Sequence, residues 1–200
     1  PLRLGLSWEM RAGPFWRRLR RAVSLLSYCQ LHEDQELTSA LSFRTGIGYD
    51  LHRLTHGRPL VLGGVRIPHA RGLRGHSDAD VVLHALCDAL LGAAGLGDIG
   101  ELFPDSDPKW AGADSRLFLA NVLARVAAAK FRIVNADIII HAQEPRLGPL
   151  KADIQRSLSE LLNLPPGAVG VKATTNEGLD AVGRAEAIAC WAAVLLAGTA

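Results

Sequence analysis

From Arg44 onward, segments with a strand period alternate with segments with a helix period, and few folds accept that order. Arg44–Arg53 reads as a strand. "PLVLGGVRIP" sets two apolar runs around Gly63–Gly64, a hairpin signal. "HSDADVVLHALCDALLGAAG" reads as a helix with Ser77 or Asp78 as its N-cap and Gly95 as its end. "GDIGELFPDSDPKW" reads as a loop, and "DSRLFLANVLARVAAAK" as a second helix capped by Asp114. "FRIVNADIIIHAQ" is a strand, "GPLKADIQRSLSELLNL" a third helix, "AVGVKATT" a strand entering a loop, and "AIACWAAVLLAG" a last strand. The expected fold class is α/β, an α+β sandwich with a mixed four-stranded sheet and helices on one face.

Hydrophobic residues make up 48% of the chain and charged residues 21%, which suits a packed core and argues against global disorder. Net charge is +2, from 22 basic and 20 acidic residues, so bulk charge gives no nucleic-acid signature and an anionic substrate must be met locally. Cys29, Cys87 and Cys190 lack paired spacing and read as free thiols of a reducing compartment. Cys87 and Cys190 lie in apolar contexts that suit small core residues. No apolar run matches the roughly 20 residues of a membrane span. Residues 1–43 differ from the rest: "MRAGPFWRRLRRAVSLLSYC" is Arg-rich with interleaved aromatics. They form an N-terminal appendage to a domain at 44–200, either transit-like or a poorly ordered linker.

"GIGYDLHRL" sets Asp50 and His52 two apart, on one face of a strand. On the first helix, Asp80, His84 and Asp88 recur every four residues in an otherwise apolar segment, forming one stripe. Such a stripe can simply face solvent, and a D-x-H pair can simply be a hydrogen-bonded pair. Where strand and helix meet, Asp50, His52 and His84 make a two-histidine, one-carboxylate set of the kind that holds catalytic zinc. His76 and Asp78 stand at the helix N-terminus, where backbone N–H groups favour an anion. "KATTNEG", Lys172–Gly178, offers hydroxyls and loop N–H groups for phosphate oxygens, with Glu177 for Mg²⁺; it can equally be a turn cap. "GDIGELFPDSD" is either a solvated turn or a loop whose acids accept from sugar hydroxyls.

"GYDLHRL", "LGGVRIP", "GHSDADVVLHALCDALLGAAGLGDIGELFPDSDPKW", "GADSR", "VNADIII" and "VKATTNEGL" closely resemble the 2-C-methyl-D-erythritol 2,4-cyclodiphosphate synthase family over about Arg44–Gly198. The resemblance implies a homotrimer around a central sheet-lined cavity, with three sites at subunit interfaces. It implies conversion of 4-diphosphocytidyl-2-C-methyl-D-erythritol 2-phosphate to the cyclic diphosphate and CMP, in isoprenoid precursor synthesis. It makes Asp50, His52 and His84 zinc ligands, and gives Glu177 a second divalent ion, Mg²⁺ or Mn²⁺, on the substrate diphosphate. His76 and Thr175 match positions of transition-state stabilisation, and Ser77 sits beside His76 at the erythritol phosphate. Asp98, Ile99 and Gly100 match ribose-side contacts, and Phe103, Pro104, Asp105, Ser106 and Asp107 the methylerythritol loop. Ala142, Gln143, Glu144, Pro145, Arg146, Leu147 and Gly148 match the cytosine pocket. Thr174, Asn176, Ala181 and Arg184 match further phosphate-loop or cavity contacts.

The chain departs from the family's usual "TTTEKLGF.GRGEG" at "TTNEGLDAVGRAEA". Asn176 replaces a hydroxyl, Asp180–Ala181 a Gly–Phe pair, and Ala185 and Ala187 glycines, which leaves the metal set intact. The rival readings are a zinc-dependent diphosphate hydrolase and a non-catalytic cytidine-nucleotide-binding trimer. Some relatives are fused to the pathway's cytidylyltransferase, so residues 1–43 suit a remnant linker. A bacterial cytoplasmic setting is expected, with a plastid as the alternative, and neither nucleic acid nor membrane as a partner.

Overall fold

A computed structural model describes residues 42–165 and 167–199. The expected appendage, but for its last two residues, and Cys29 lie outside them. The strands are β1 Phe43–His56, β2 Leu60–Leu62, β3 Val65–Ile67, β4 Arg71–Leu73, β5 Phe131–His141, β6 Val169–Thr174 and β7 Ala187–Gly198. The helices are α1 Val81–Ala94, α2 Ile99–Leu102, α3 Ser115–Ala128, α4 Lys151–Leu162 and α5 Asp180–Gly183.

The main sheet runs β4-β1-β7-β5-β6. All neighbours are antiparallel except β5 and β6, so the sheet is mixed, as expected. It has five strands rather than four. β1 is 14 residues long, and its pairing with β7 ends at Arg53↔Ala187, leaving its last three residues free to pair with β4 through Leu54↔Leu73 to His56↔Arg71. Three residues with a glycine in the middle carry almost no strand period, so β4 is a product of tertiary pairing. The Gly63–Gly64 hairpin forms as expected, with Leu62↔Val65 closing it.

One face of the sheet is dry. Ala136, Ile138 and Ile140 of β5 and Ile188, Cys190, Ala192, Val194 and Leu196 of β7 alternate into the core, each at most 4% exposed. α1 is buried nearly all round because it lies between this face and the outer helix α3. Both core cysteines are buried, and burial pushes the Cys87 and Cys190 thiols upward, so they stay neutral. Among the described residues, no helix is long and apolar enough to cross a membrane.

The N-cap of α1 is Asp80, not Ser77 or Asp78. Ala79 has φ of 60°, which breaks the helical path before Asp80. The Asp80 carboxylate, wholly buried, accepts from the Val82 and Leu83 amides at 3.1 Å and from the Gly63 and Gly64 amides at 2.9 and 2.6 Å. One side chain thus caps the helix and fastens the hairpin to it. Gly95 ends the helix at φ 71°, as expected, and Asp114 caps α3. The loop "GDIGELFPDSDPKW" contains more order than expected: α2 and a 3₁₀ turn at Pro108–Trp110.

Candidate metal centre and its clefts

Gly46, Gly48, Asp50 and His52 fall on the same face of β1 and continue toward α1. The two glycines remove the side chains that would hold the helix away. A Cβ at Gly46 would lie 2.0 Å from the Ala89 carbonyl oxygen, and one at Gly48 2.0 Å from that of Ala85. The helix therefore rests on the strand backbone, and its next polar position, His84, arrives opposite Asp50 and His52.

There the three side chains converge. His84 Nδ1 is 3.0 Å from Asp50 Oδ2 and 3.0 Å from His52 Nε2, which is itself 3.1 Å from Asp50 Oδ2. Among the described residues this is the only such group of three with all donor atoms within 4.8 Å. Tetrahedral zinc with bonds near 2.05 Å sets its donors roughly 3.3 Å apart, so a small outward shift accommodates the ion. Burial opposes charge on Asp50, but hydrogen bonds from His52 and His84 outweigh it and hold the carboxyl well below the usual range. Burial likewise opposes protonation of His84, yet the Asp50 hydrogen bond and charge raise its pKa overall. Two imidazole nitrogens and a carboxylate oxygen around one point, with that electrostatic tension, fit a divalent cation.

The stripe on α1 divides its labour. Asp80 is structural, His84 joins the donor set, and Asp88 accepts the Ile99 amide at 2.8 Å. Asp88 thereby fixes α2 beside the cleft, while Asp98 caps α2 by accepting from Glu101 N–H at 2.9 Å.

A cleft of about 400 Å³ gathers Asp50, His52, His76, Ser77, His84, Ile99, Gly100, Phe103, Pro104 and Asp105. His76 Nε2 lies 3.3 Å from the Asp107 carbonyl oxygen. Phe103 is 7% exposed and stacks on Phe118 at 4.6 Å, so it is as much floor as contact. Asp107 caps the 3₁₀ turn, and Ser106 is exposed.

A second cleft of about 800 Å³ gathers Ala142, Gln143, Glu144, Arg146, Leu147, Gly148, Thr174 and Thr175. It is lined by none of the residues of the first cleft. Pro145 lies within the same segment. Glu177 is not in the three-donor set; it accepts from the Thr175 hydroxyl at 3.2 Å. Asn176 and Asp180 share a hydrogen bond, Arg184 pairs with Glu186, and Ala181 packs on Val182, Ala187 and Ala189. Lys172 pairs with Asp137 of the neighbouring strand.

Three contributors, Ser115, Arg58 and Arg71, were not singled out as site residues by sequence, and Asp78 was expected beside an anion rather than on Ser115. Ser115 contacts His84 Nε2 at 2.9 Å, and Asp78 contacts Ser115. Arg58 donates to the carbonyls of Gly75 and Ser77, and Arg71 donates to the Ala185 carbonyl at 2.9 Å. Only "GADSR" marked the region of Ser115, and the two arginines act on carbonyls, which leave no sequence trace.

A family model described as the YgbB family matches residues 43–197. The 2-C-methyl-D-erythritol 2,4-cyclodiphosphate synthase of Bordetella avium is 53% identical over 157 residues, covering 78% of this chain and 97% of the relative. A solved 2C-methyl-D-erythritol-2,4-cyclodiphosphate synthase with CDP bound superposes with a TM-score of 0.71 at 44% identity, covering 76% of this chain and 99% of that one. The bifunctional IspDF of Campylobacter jejuni superposes with a TM-score of 0.76 at 43% identity, covering 79% of this chain and 43% of that one. With a family match spanning nearly all the described residues and the Bordetella avium relative matched over 97% of its length, the chain belongs to the YgbB family.

Proposed function

We propose that this chain carries out the reaction its relatives are named for, converting 4-diphosphocytidyl-2-C-methyl-D-erythritol 2-phosphate to 2-C-methyl-D-erythritol 2,4-cyclodiphosphate and CMP. The carrying observation is the Asp50–His52–His84 set opening into the same cleft as His76, Ser77, Ile99–Gly100 and Phe103–Asp105. The substrate's 2-phosphate oxygen attacks the β-phosphorus, the β-phosphorus–oxygen bond to the α-phosphate breaks, and CMP leaves. The nucleophile is already anionic, so the protein's task is alignment and charge compensation, with no strong base. A zinc ion on Asp50, His52 and His84 would supply Lewis-acid polarisation of a phosphate oxygen. His76 and Ser77 hold the phosphate end, Ile99 and Gly100 with Asp98 hold the ribose side, and Phe103–Asp107 frames the methylerythritol. Ala142–Gly148 reads cytosine, Thr174–Asn176 and Thr175 in particular contact the diphosphate, and Glu177 receives a Mg²⁺ or Mn²⁺ ion. Arg184 and Ala181 border a central cavity.

A homotrimer with sites between subunits is the assembly that fits this reading. The metal-set cleft and the 142–148 cleft have separate linings, and a site between subunits is the arrangement in which a partner's 142–148 cleft completes the first. The sheet face opposite the helices also exposes Ile47 at 67%, with Tyr49 and Trp191 paired at 4.6 Å between ring centroids, an apolar surface that subunit contact would cover. Fusion to or association with a cytidylyltransferase fits this reading, as does a bacterial cytoplasmic setting.

The test is CMP release from the diphosphocytidyl substrate with Mg²⁺, with and without a zinc chelator, with the co-product identified by mass. A cyclic diphosphate formed only without chelator supports the reading. A linear product carrying one added water identifies a hydrolase, and tight cytidine-nucleotide binding without turnover identifies a binding protein.

A further inference from the structure

The face of His84 that points away from Asp50 is the informative one. With Nδ1 turned to the three-donor set, Nε2 carries the ring's N–H. Ser115 Oγ lies 2.9 Å from Nε2 and is the nearest acceptor. Ser77 Oγ is farther, at 3.2 Å, and already accepts the Ala79 amide at 3.0 Å. The Ser115 hydroxyl, having accepted from His84, has its own proton to place, and the Asp78 Oδ1 carboxylate receives it. The other Asp78 oxygen accepts the Ser115 amide at 3.2 Å. That amide is one of the first-turn N–H groups of α3 that no helical carbonyl can reach.

The chain His84–Ser115–Asp78 therefore joins three elements: α1, the first residue of α3, and the loop that carries His76 and Ser77. Ser115 is 0% exposed, so bulk solvent does not compete with its hydroxyl for the His84 N–H. Phe118, one turn further along α3, lies 6.1 Å from the His84 ring between centroids and closes the same side with apolar surface. A metal-ligating imidazole is oriented and made more basic by what accepts its other N–H, and a hydroxyl backed by a carboxylate is a stronger acceptor than a hydroxyl alone.

We propose that Ser115 and Asp78 are positioning residues that fix the tautomer and orientation of His84 for a divalent cation. The proposal rests on the reading of Asp50, His52 and His84 as a metal set.

The experiment measures zinc affinity by competition with a chromophoric chelator, and the visible spectrum of the cobalt-substituted protein, for the full chain and three variants. Ser115→Ala is expected to bind zinc about ten- to hundredfold more weakly, with an altered cobalt spectrum. Ser115→Thr, which keeps the hydroxyl, is expected to restore affinity to near that of the parent. Asp78→Asn is expected to weaken binding in the same direction and decides the matter if Ser115→Ala does not fold. Parent affinity in folded Ser115→Ala or Asp78→Asn overturns the proposal. So does a Thr variant as weak as the Ala variant, since that loss would come from packing. A parent chain that binds no zinc overturns instead the reading of the three-donor set, so the two failures are distinguishable.

Discussion

Gly48 lies so close to Ala85 that a methyl group on it would sit 2.0 Å from the Ala85 carbonyl oxygen and 2.7 Å from the Ala89 amide nitrogen. Both clashes are with helix backbone, which cannot swing aside like a side chain. Gly48→Ala must therefore lift α1 from β1, in a core that is otherwise close-packed. The expected cost is at least about 2 kcal/mol in urea unfolding, at the upper end of overpacking effects. Because His84 rides on the lifted helix, zinc affinity should fall together with stability. A variant of parent stability would show that the helix can reseat, contrary to this packing.

His84→Ala removes one donor and also the atom that Ser115 buttresses. The site would keep Asp50 and His52, two donors where three are needed for a stable zinc site. The protein should remain folded, because the helix cap at Asp80 and the apolar faces of α1 are untouched. Turnover should fall at least about a hundredfold, the scale of losing one preorganised stabiliser of transition-state charge. Metal analysis of the purified variant checks this: full zinc occupancy would remove His84 from the ligand set.

The metal-free protein and the zinc-loaded protein should respond to pH with opposite signs. In the metal-free chain the His84 pKa is raised by Asp50, so its contribution to stability is fully present below about pH 6.5 and is lost as pH rises through the folded value. Zinc needs the neutral imidazole, so protonation competes with it and affinity falls as pH drops from about 8 to 6. Thermal unfolding of chelator-treated and zinc-loaded samples over that range should show stability falling with pH in the first and rising in the second. Parallel trends would mean that His84 does not titrate between the two roles.

Most of the sheet and the three long helices were legible because their apolar runs are long and are bounded by Gly, Pro or Asp. α1 is apolar on every side but for one stripe, β5 alternates over Ala136–His141, and β7 is an almost unbroken apolar run. The donor set was legible because two of its members share a strand face and the third breaks an apolar helix. β4 was not, since Arg71–Leu73 becomes a strand only where β1 outruns β7. The cap of α1 was misplaced because three candidates, Ser77, Asp78 and Asp80, lie within four residues. What separates them is the backbone at Ala79 and the two hairpin amides that reach Asp80 from 16 and 17 residues away. Ser115 escaped notice for a related reason: a serine after a helix cap is ordinary until another helix delivers a histidine to it.

Asn176 and Asp180 should act as a pair. Asp180 has φ of 56°, a left-handed conformation that a non-glycine residue adopts at a cost. Its side chain offsets that cost. One oxygen accepts the Val182 and Gly183 amides at 2.8 and 3.2 Å, and the other accepts from Asn176 Nδ2 at 2.8 Å. Asn176 Oδ1 in turn meets His141 Nδ1 at 2.9 Å, so the loop after β6 is tied to the end of β5, next to the 142–148 cleft. Asn176→Ala unties it and should raise KM for the diphosphocytidyl substrate several-fold, with zinc content unchanged. Asp180→Gly relieves the backbone but removes the acceptor that holds the Asn176 amide toward His141, so its KM should rise too, and the double variant should be little worse than Asn176→Ala alone, because contacting residues in one network do not act additively. Steady-state kinetics on the three variants check this; additive KM effects would show that the two departures in the loop are independent.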